Sequence, residues 1–434
     1  MRRRMLVVAA VCCLCGLSTA GSREGDVSEI GRFGISGIIP DTAPFGELPV
    51  DCATSGFWVG ASDGFLGGSK EELHTRQFRN FADYDITNIG TFYLGNVDEH
   101  AATYAADIVR HYATGQGSVD IGAPVLYWEA GDEENGAWGT SCTPEEYARR
   151  VTVLATGIRQ GCPDCRIVMG GLLNGAAMGD WAIEPYLDAF LTAGGGEWID
   201  VYAFHYYGLA RPHKEWPGAE LYSDAEAIVG SMRRLLQSHG EGNAPIWVTE
   251  TSTFSGRVGA VTQSEDEQAA DLVKRYVFLW SLGVDVVQWC YLTEPQYEGT
   301  GEGFFDQSGL IYDGIGPYDR GAGVRKRAFC AYQFLIEQLS DAVFLERETQ
   351  DGVTWVRFER GGQEISVLWQ DPWIRQGPVW LEPDGTAQIL DLIGHPTAEA
   401  TSSRRLDLDL APVYVLGRLS SVSTSAPTLQ EAGS

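Results

Sequence analysis

A (β/α)8 barrel followed by a small C-terminal β-sandwich is the fold the sequence predicts, on three observations. Short apolar runs alternate with capped, helix-periodic segments for most of the length, the pattern of a parallel α/β sheet. Eight such runs can be placed before residue 340, and eight is the strand count of a closed barrel. Beyond that point the chain changes to short alternating strands separated by Asp351-Gly352, Gly361-Gly362 and Asp384-Gly385, which are turn signals.

The amino-terminal segment stands outside this scheme. Arg2, Arg3 and Arg4 precede an apolar run over 5–17 that is too short to span a bilayer, and Ser18-Thr19-Ala20 offers small residues for cleavage. Residues 1–20 are therefore expected to be a signal peptide, and the protein to be secreted or periplasmic. A lipoprotein is the rival reading, since Cys12, Cys13 and Cys15 lie in the apolar region, but neither Val11 nor Leu14 is the small residue expected before a lipidated cysteine.

The barrel is expected over 21–340. Weak strands at 33–39 and 57–60 lead to a firmer one at 86–94 with a helix over 99–111, then to strands at 125–128, 167–173, 199–204, 246–249 and 284–289. Thr143-Pro144-Glu145-Glu146 opens a helix with a capping hydroxyl, a proline at the first helical position and a glutamate at the third, ahead of Tyr147, Val151, Leu154 and Ile158. Ser264-Glu265-Asp266-Glu267 is a second such start, and 224–239 and 327–339 read as further helices. The sandwich is expected over 341–419, with strands at 343–346, 353–359, 364–369, 379–381, 388–390 and 413–416. A Ser-, Thr- and Ala-rich tail over 420–434 is expected to be disordered.

Composition bounds the function. The 434 residues are 44% hydrophobic, enough for a large core, while 59 acidic against 31 basic residues give a formal charge of -28 that would repel nucleic acid and anionic membrane surfaces. No nucleic-acid or membrane partner is expected. Export would permit disulfides among Cys52, Cys142, Cys162, Cys165, Cys290 and Cys330; Cys162 and Cys165 are expected to pair, and Cys52 with Cys142 is a weaker candidate. The seven histidines are scattered and Cys162-Pro163-Asp164-Cys165 has no partner motif in the mature chain, so no metal and no cofactor are expected.

Barrel enzymes carry reacting groups at the C-terminal ends of their strands. Trp128-Glu129-Ala130-Gly131-Asp132-Glu133-Glu134-Asn135-Gly136 closes the fourth strand and Trp247-Val248-Thr249-Glu250-Thr251 the seventh. This pair resembles the acid/base and nucleophile motifs of the clan A retaining glycoside hydrolases, whose fourth strand often ends in a Trp-Glu-x-x-Asn-Glu-x-Asn-Gly string. The end of strand six, Phe204-His205-Tyr206-Tyr207, and Gly309-Leu310-Ile311-Tyr312-Asp313-Gly314 after strand eight resemble the same family, so the likeness runs over about 85–340. The resemblance implies a general acid/base at Glu133, a nucleophile at Glu250, and an oligosaccharide or polysaccharide substrate.

The chemistry is coherent without the family. A glycosidic oxygen is a poor leaving group, so hydrolysis near neutrality needs one protonated carboxyl and one carboxylate facing the anomeric carbon. His205 and Tyr207 are placed to donate to the nucleophile and hold it ionised, Trp289 to form an apolar floor under a sugar ring, and Trp58, Trp138 and Trp216 to stack on sugars from rim loops. The family's asparagine, which contacts the sugar 2-hydroxyl, is replaced by Asp132; this keeps an acceptor, loses a donor, and adds a negative charge that raises the coupled pKa values of the pair. Either glutamate alone would read as a solvated loop residue. Together with His205 and Trp289 they support a secreted retaining glycosidase, with a weakened, carbohydrate-binding barrel as the alternative and an unrelated barrel chemistry as a third reading that no motif supports.

Overall fold

In a computed structural model of the protein, the described residues are 30–37, 44–59, 69–95, 97–98, 100–113, 121–136, 141–174, 182–208, 222–297, 299–371 and 374–426. The expected signal peptide and Trp138 and Trp216 lie outside them, as does the side chain of Trp58.

The parallel sheet contains β1 (Phe33–Ser36), β2 (Cys52–Val59), β3 (Thr87–Leu94), β4 (Tyr127–Ala130), β5 (Arg166–Met169), β6 (Leu172–Leu173), β7 (Tyr202–Tyr206), β8 (Ile246–Thr251) and, after the hairpin of β9 (Gly256–Val258) and β10 (Val261–Gln263), β11 (Val286–Cys290). Its order is β5-β4-β3-β2-β1-β11-β8-β7-β6. β5 and β6 are one run interrupted at Gly170-Gly171: β5 pairs with β4, β6 pairs with β7, and a Val168–Val201 bridge joins the two edges. Counted so, the sheet is an eight-position TIM-like barrel. Inward-facing Cys52, Ile89, Val168, Val201, Ala203, Trp247 and Val286 form its inner core, while a far larger cluster fills the space between strands and helices.

Among the described residues seven helices surround the sheet: α1 (Ser69–Asp83), α2 (Ala101–Ala113), α3 (Pro144–Gly161), α4 (Ile183–Thr192), α5 (Ser223–Ser238), α6 (Glu265–Ser281) and α7 (Arg327–Leu339). The two cap signals act as read: the Thr143 side chain accepts from the Glu146 N–H, and Ser264 and Glu267 form a reciprocal capping box. α4 carries no such start signal, since Ala182 stands at its N-cap and supplies no side-chain bond.

The C-terminal region is antiparallel. Six strands, in the order β12 (Val343–Gln350), β13 (Val353–Arg360), β14 (Gln363–Gln370), β19 (Val413–Leu416), β16 (Ala387–Leu390) and β17 (Pro396–Ala400), face a three-stranded sheet of β18 (Arg404–Leu406), β15 (Val379–Pro383) and β20 (Leu419–Ser423). The outer face of the larger sheet joins the barrel core, with Phe334 of α7 edge-on to Tyr414 at 4.9 Å. β20 corrects the expected tail: the chain stays ordered past Ser420, because β15 needs a partner on its second edge and pairs there with 419–423.

Cys162 and Cys165 are disulfide-bonded. Cys52 and Cys142 are not: both are free thiols, Cys52 at the start of β2 inside the barrel and Cys142 in the loop after β4, at the other end of the strands. Cys142 lies instead beside Glu134 and the Tyr186 hydroxyl.

Candidate active site

The ends of β4, β7 and β8 converge on one imidazole. His205 Nδ1 lies 2.8 Å from Glu133 Oε1 and 3.5 Å from Glu250 Oε2, and its Nε2 lies 3.8 Å from Asp132 Oδ1. Two oxygens at those distances from one nitrogen are separated by at most about 6.3 Å, the sum of the two. The Tyr207 hydroxyl donates to Glu250 Oε2 at 2.5 Å. Glu133, Glu250, Asp132, His205 and Tyr207, all named from the sequence, thus meet in one cluster. Glu133 and Glu250 retain 13% and 23% side-chain exposure and His205 only 2%, so the imidazole is the buried hub and the carboxyls face the opening.

Local backbone explains how the loop after β4 reaches this hub. Glu133 sits in the left-handed region, φ 51°, where a non-glycine residue is strained, and the surroundings hold it there. Its N–H donates to the Gly171 carbonyl, Asn135 exchanges two hydrogen bonds with Leu173, and the Tyr147 hydroxyl bridges the Ala130 carbonyl and the Gly170 N–H. The glycine pair is required sterically: a Cβ at Gly170 would lie 2.5 Å from the Gly131 backbone, and one at Gly171 would lie 2.2 Å from the His205 ring.

Glu250 is held by other means. Arg275 of α6, fully buried and paired with Asp271, donates to the Tyr206 and Gly208 carbonyls and to the Thr251 hydroxyl, tying the ends of β7 and β8 together. No local sequence signal marks this arginine, nor Tyr93 and Cys290 when only strand ends are considered. Strand parity would have found the last two: alternate side chains share a face, so Ile89, Thr91 and Tyr93, and likewise Val286, Gln288 and Cys290, point inward.

The same parity corrects Trp289. It points outward into the helix layer, is 0% exposed, and donates its indole N–H to the Ser308 carbonyl at 3.1 Å, so it is core and not a sugar-stacking floor. Aromatic surface near Glu250 comes instead from the long segment after β11. Phe304 and Phe305 stand edge-on to Tyr207 at 6.0 and 5.6 Å, and Tyr291 and the exposed Tyr297 pack on Phe305.

Burial would lower the His205 pKa, but the acidic groups around it, Glu250 foremost and then Glu133, overcome it and raise it to about 10, so the ring is an imidazolium at neutral pH. Burial, then the Glu250 charge, pushes Asp132 well above the usual carboxylate range, with His205 opposing. The expected neighbour, Glu133, acts on it less than Glu250 does. Burial also raises Glu129, which lies on the inner face of β4 and accepts from Thr91 at 2.8 Å. Burial keeps the Tyr207 phenol protonated, hence a donor.

Two carboxylate-rich sets among the described residues are compact enough for a cation. The ligand atoms of Asp132, His205 and Glu250 lie within 4.8 Å of one another, as do those of Glu294, Asp313 and Asp319. In the first, His205 already serves Glu133; in the second, Glu294 pairs with Lys326 while Asp313 and Asp319 accept backbone N–H groups. Neither set is assigned a metal. A separate cavity of about 350 Å³, bounded by Ser255, Glu265, Tyr312 and Arg320 beside the β9–β10 hairpin, includes none of the clustered carboxyls.

No protein-family profile and no curated protein sequence matches the chain. Solved structures do. A family 39 glycoside hydrolase from the gut symbiont Bacteroides cellulosilyticus superposes with a TM-score of 0.68 at 15% identity, over 90% of this chain and 82% of that one. A family 51 α-L-arabinofuranosidase from Bifidobacterium longum gives 0.62 at 15% identity, over 90% and 96%. A glucosidase from Croceicoccus marinus gives 0.61 at 14% identity, over 92% and 98%. At these identities the likeness establishes a shared barrel-plus-sandwich fold.

Proposed function

We propose that the protein is a retaining glycoside hydrolase that cleaves O-glycosidic bonds of an oligosaccharide or polysaccharide by double displacement, with Glu133 as acid/base and Glu250 as nucleophile. The observation that carries the reading is the shared contact of both glutamates with His205. It limits their facing oxygens to about 6.3 Å, compatible with the ~5–5.5 Å carboxyl separation of retention. The three solved structures named above are by name a glycoside hydrolase, an α-L-arabinofuranosidase and a glucosidase, which supports the same class.

The cluster suits two-step chemistry. In the first step Glu250 attacks as the carboxylate, with the Tyr207 hydroxyl donating to it and the imidazolium beside it, while Glu133 delivers its proton to the leaving oxygen. In the second, Glu133 is the ionised group and takes a proton from water. His205 Nδ1 reaches both carboxyls, so its N–H can follow the negative charge from one to the other. The arginine-led amino terminus supports export to the periplasm or medium.

The test is a screen of aryl glycosides and plant, algal and bacterial polysaccharides, with the anomer of the first-formed product read by proton NMR. Net retention is expected; inversion would overturn the double displacement. Asp132 in place of an amide is the observation that favours the second reading, a barrel that binds sugar without turnover. Oligosaccharide binding with no hydrolysis across the screen would establish it.

A further inference from the structure

The site holds an imbalance that the mechanism above does not use. Asp132 is acted on by Glu250 of β8, Glu129 of β4, Glu133 of its own loop and His205 of β7, and it raises in turn the phenol of Tyr93 on β3 and the thiol of Cys290 on β11. Of these groups His205 alone is cationic, and its Nδ1 is taken by Glu133.

No hydrogen-bond donor among the described residues reaches the Asp132 carboxyl. The His205 Nε2 stands 3.8 Å away, beyond hydrogen-bonding distance, and the Asp132 N–H turns the other way, toward Glu134. A carboxylate that no protein group donates to, beside other carboxylates, is disfavoured relative to the neutral acid. The same side chain is 34% exposed, more than either glutamate, so it faces the opening where a ligand enters. That exposure moderates the burial effect, while the like charge of Glu250 acts in the same direction.

We propose that Asp132 stands in the resting site as the neutral acid and donates its O–H to the one substrate hydroxyl that fits between it and Glu250, an inference that rests on the glycosidase reading. The nearest Asp132 and Glu250 ligand atoms lie within 4.8 Å, short enough for one bridging oxygen, since two O–H···O contacts span up to about 5.4 Å at their usual length. Donor arithmetic then selects the protonation state. A sugar hydroxyl has one proton, which goes to the Glu250 carboxylate, so its oxygen must accept from the other side. A neutral Asp132 supplies that donor as an amide would. An ionised Asp132 would leave two anions competing for one proton, and the substrate would lose the contact. Asp132 thus acts as a pH-gated binding group.

Two measurements test this. In protein labelled with carbon-13 at the aspartate carboxyls, one resonance should titrate well above the ordinary aspartate range and be missing from Asp132→Asn. Should that variant fail to fold, Asp132→Ala gives the same assignment. An Asp132 resonance that titrates near the ordinary value of about 3.9 overturns the proposal. This readout needs no turnover, so it stands even if no glycoside is cleaved and the glycosidase reading fails alone. In an active enzyme, the ratio of kcat/KM for Asp132→Asn to that of the wild type should climb about tenfold per pH unit beyond the wild-type alkaline limb, since only the aspartate loses its donor there. A ratio that stays flat across that limb overturns the proposal.

Discussion

Glu133 leaves β4 on a left-handed backbone inside a loop tied to the β5–β6 run by three direct hydrogen bonds and a Tyr147 bridge, whereas Glu250 stands within strand β8 just past a bulge at Thr249 and is held through side chains, by the Tyr207 hydroxyl and the Arg275 clamp. The two meet at His205 from these opposite constructions. The difference suits their roles. A strained backbone fixes where a proton donor points whatever its charge, while a nucleophile needs donors that keep it ionised and a strand that does not move.

The comparison breaks first in the chemistry. Glu250→Ala should abolish turnover of every glycoside, a loss of at least ~10⁴-fold, because no covalent intermediate can form. Glu133→Ala should cost about 10²–10⁴-fold on substrates with poor leaving groups and far less on activated aryl glycosides. Equal losses on both substrate types, measured as kcat/KM, would remove the distinction between the two glutamates.

Gly171→Ala tests the backbone route. The added methyl must displace the His205 ring or the Gly171 backbone whose carbonyl accepts from Glu133, and a shift near 1 Å should lower kcat by about 10²-fold. Full activity in the folded variant would show that the loop tolerates slack. Tyr207→Phe tests the side-chain route. It removes one donor to a carboxylate, roughly 1.5–3 kcal/mol or about ten- to a hundredfold in kcat, and the loss should appear with Glu250 intact and vanish against Glu250→Ala in thermal shift and binding.

His205 joins both routes and should show in stability against pH. Its folded pKa of about 10 lies above the ~6.5 of an unfolded histidine, so its contribution is complete below pH ~6.5 and is lost as pH rises toward 10. The Tm gap between wild type and His205→Asn should therefore be widest near pH 6 and narrow steadily to pH 10. A gap independent of pH would show that the imidazole acts by shape.

Much of this was legible in the chain. The caps at Thr143 and Ser264 acted as read, because a capping box is written within four residues. The strand ends carrying Glu133, His205 and Glu250 could be found because each closes an apolar run. Trp289 misled because being at a strand end says nothing of which face a residue takes; the parity set by Val286 had to be counted, and it turns 289 away from the site. The Cys52–Cys142 pairing failed for a similar reason, since the two thiols belong to opposite ends of the strands.

Local chemistry determined the elements, their order, and the identity of the reacting groups, since periodicity, caps and strand-end carboxyls act over a few residues. What only the tertiary structure decided is how those groups bear on one another. Glu250 and His205 pair across adjacent strands, Arg275 clamps them from a helix, and Gly171 makes room for an imidazole thirty-four positions further along the chain. The charge state of Asp132 belongs to this second kind, because a carboxyl's affinity for its proton depends on the carboxylates and donors within a few ångströms, and the fold alone brings those together.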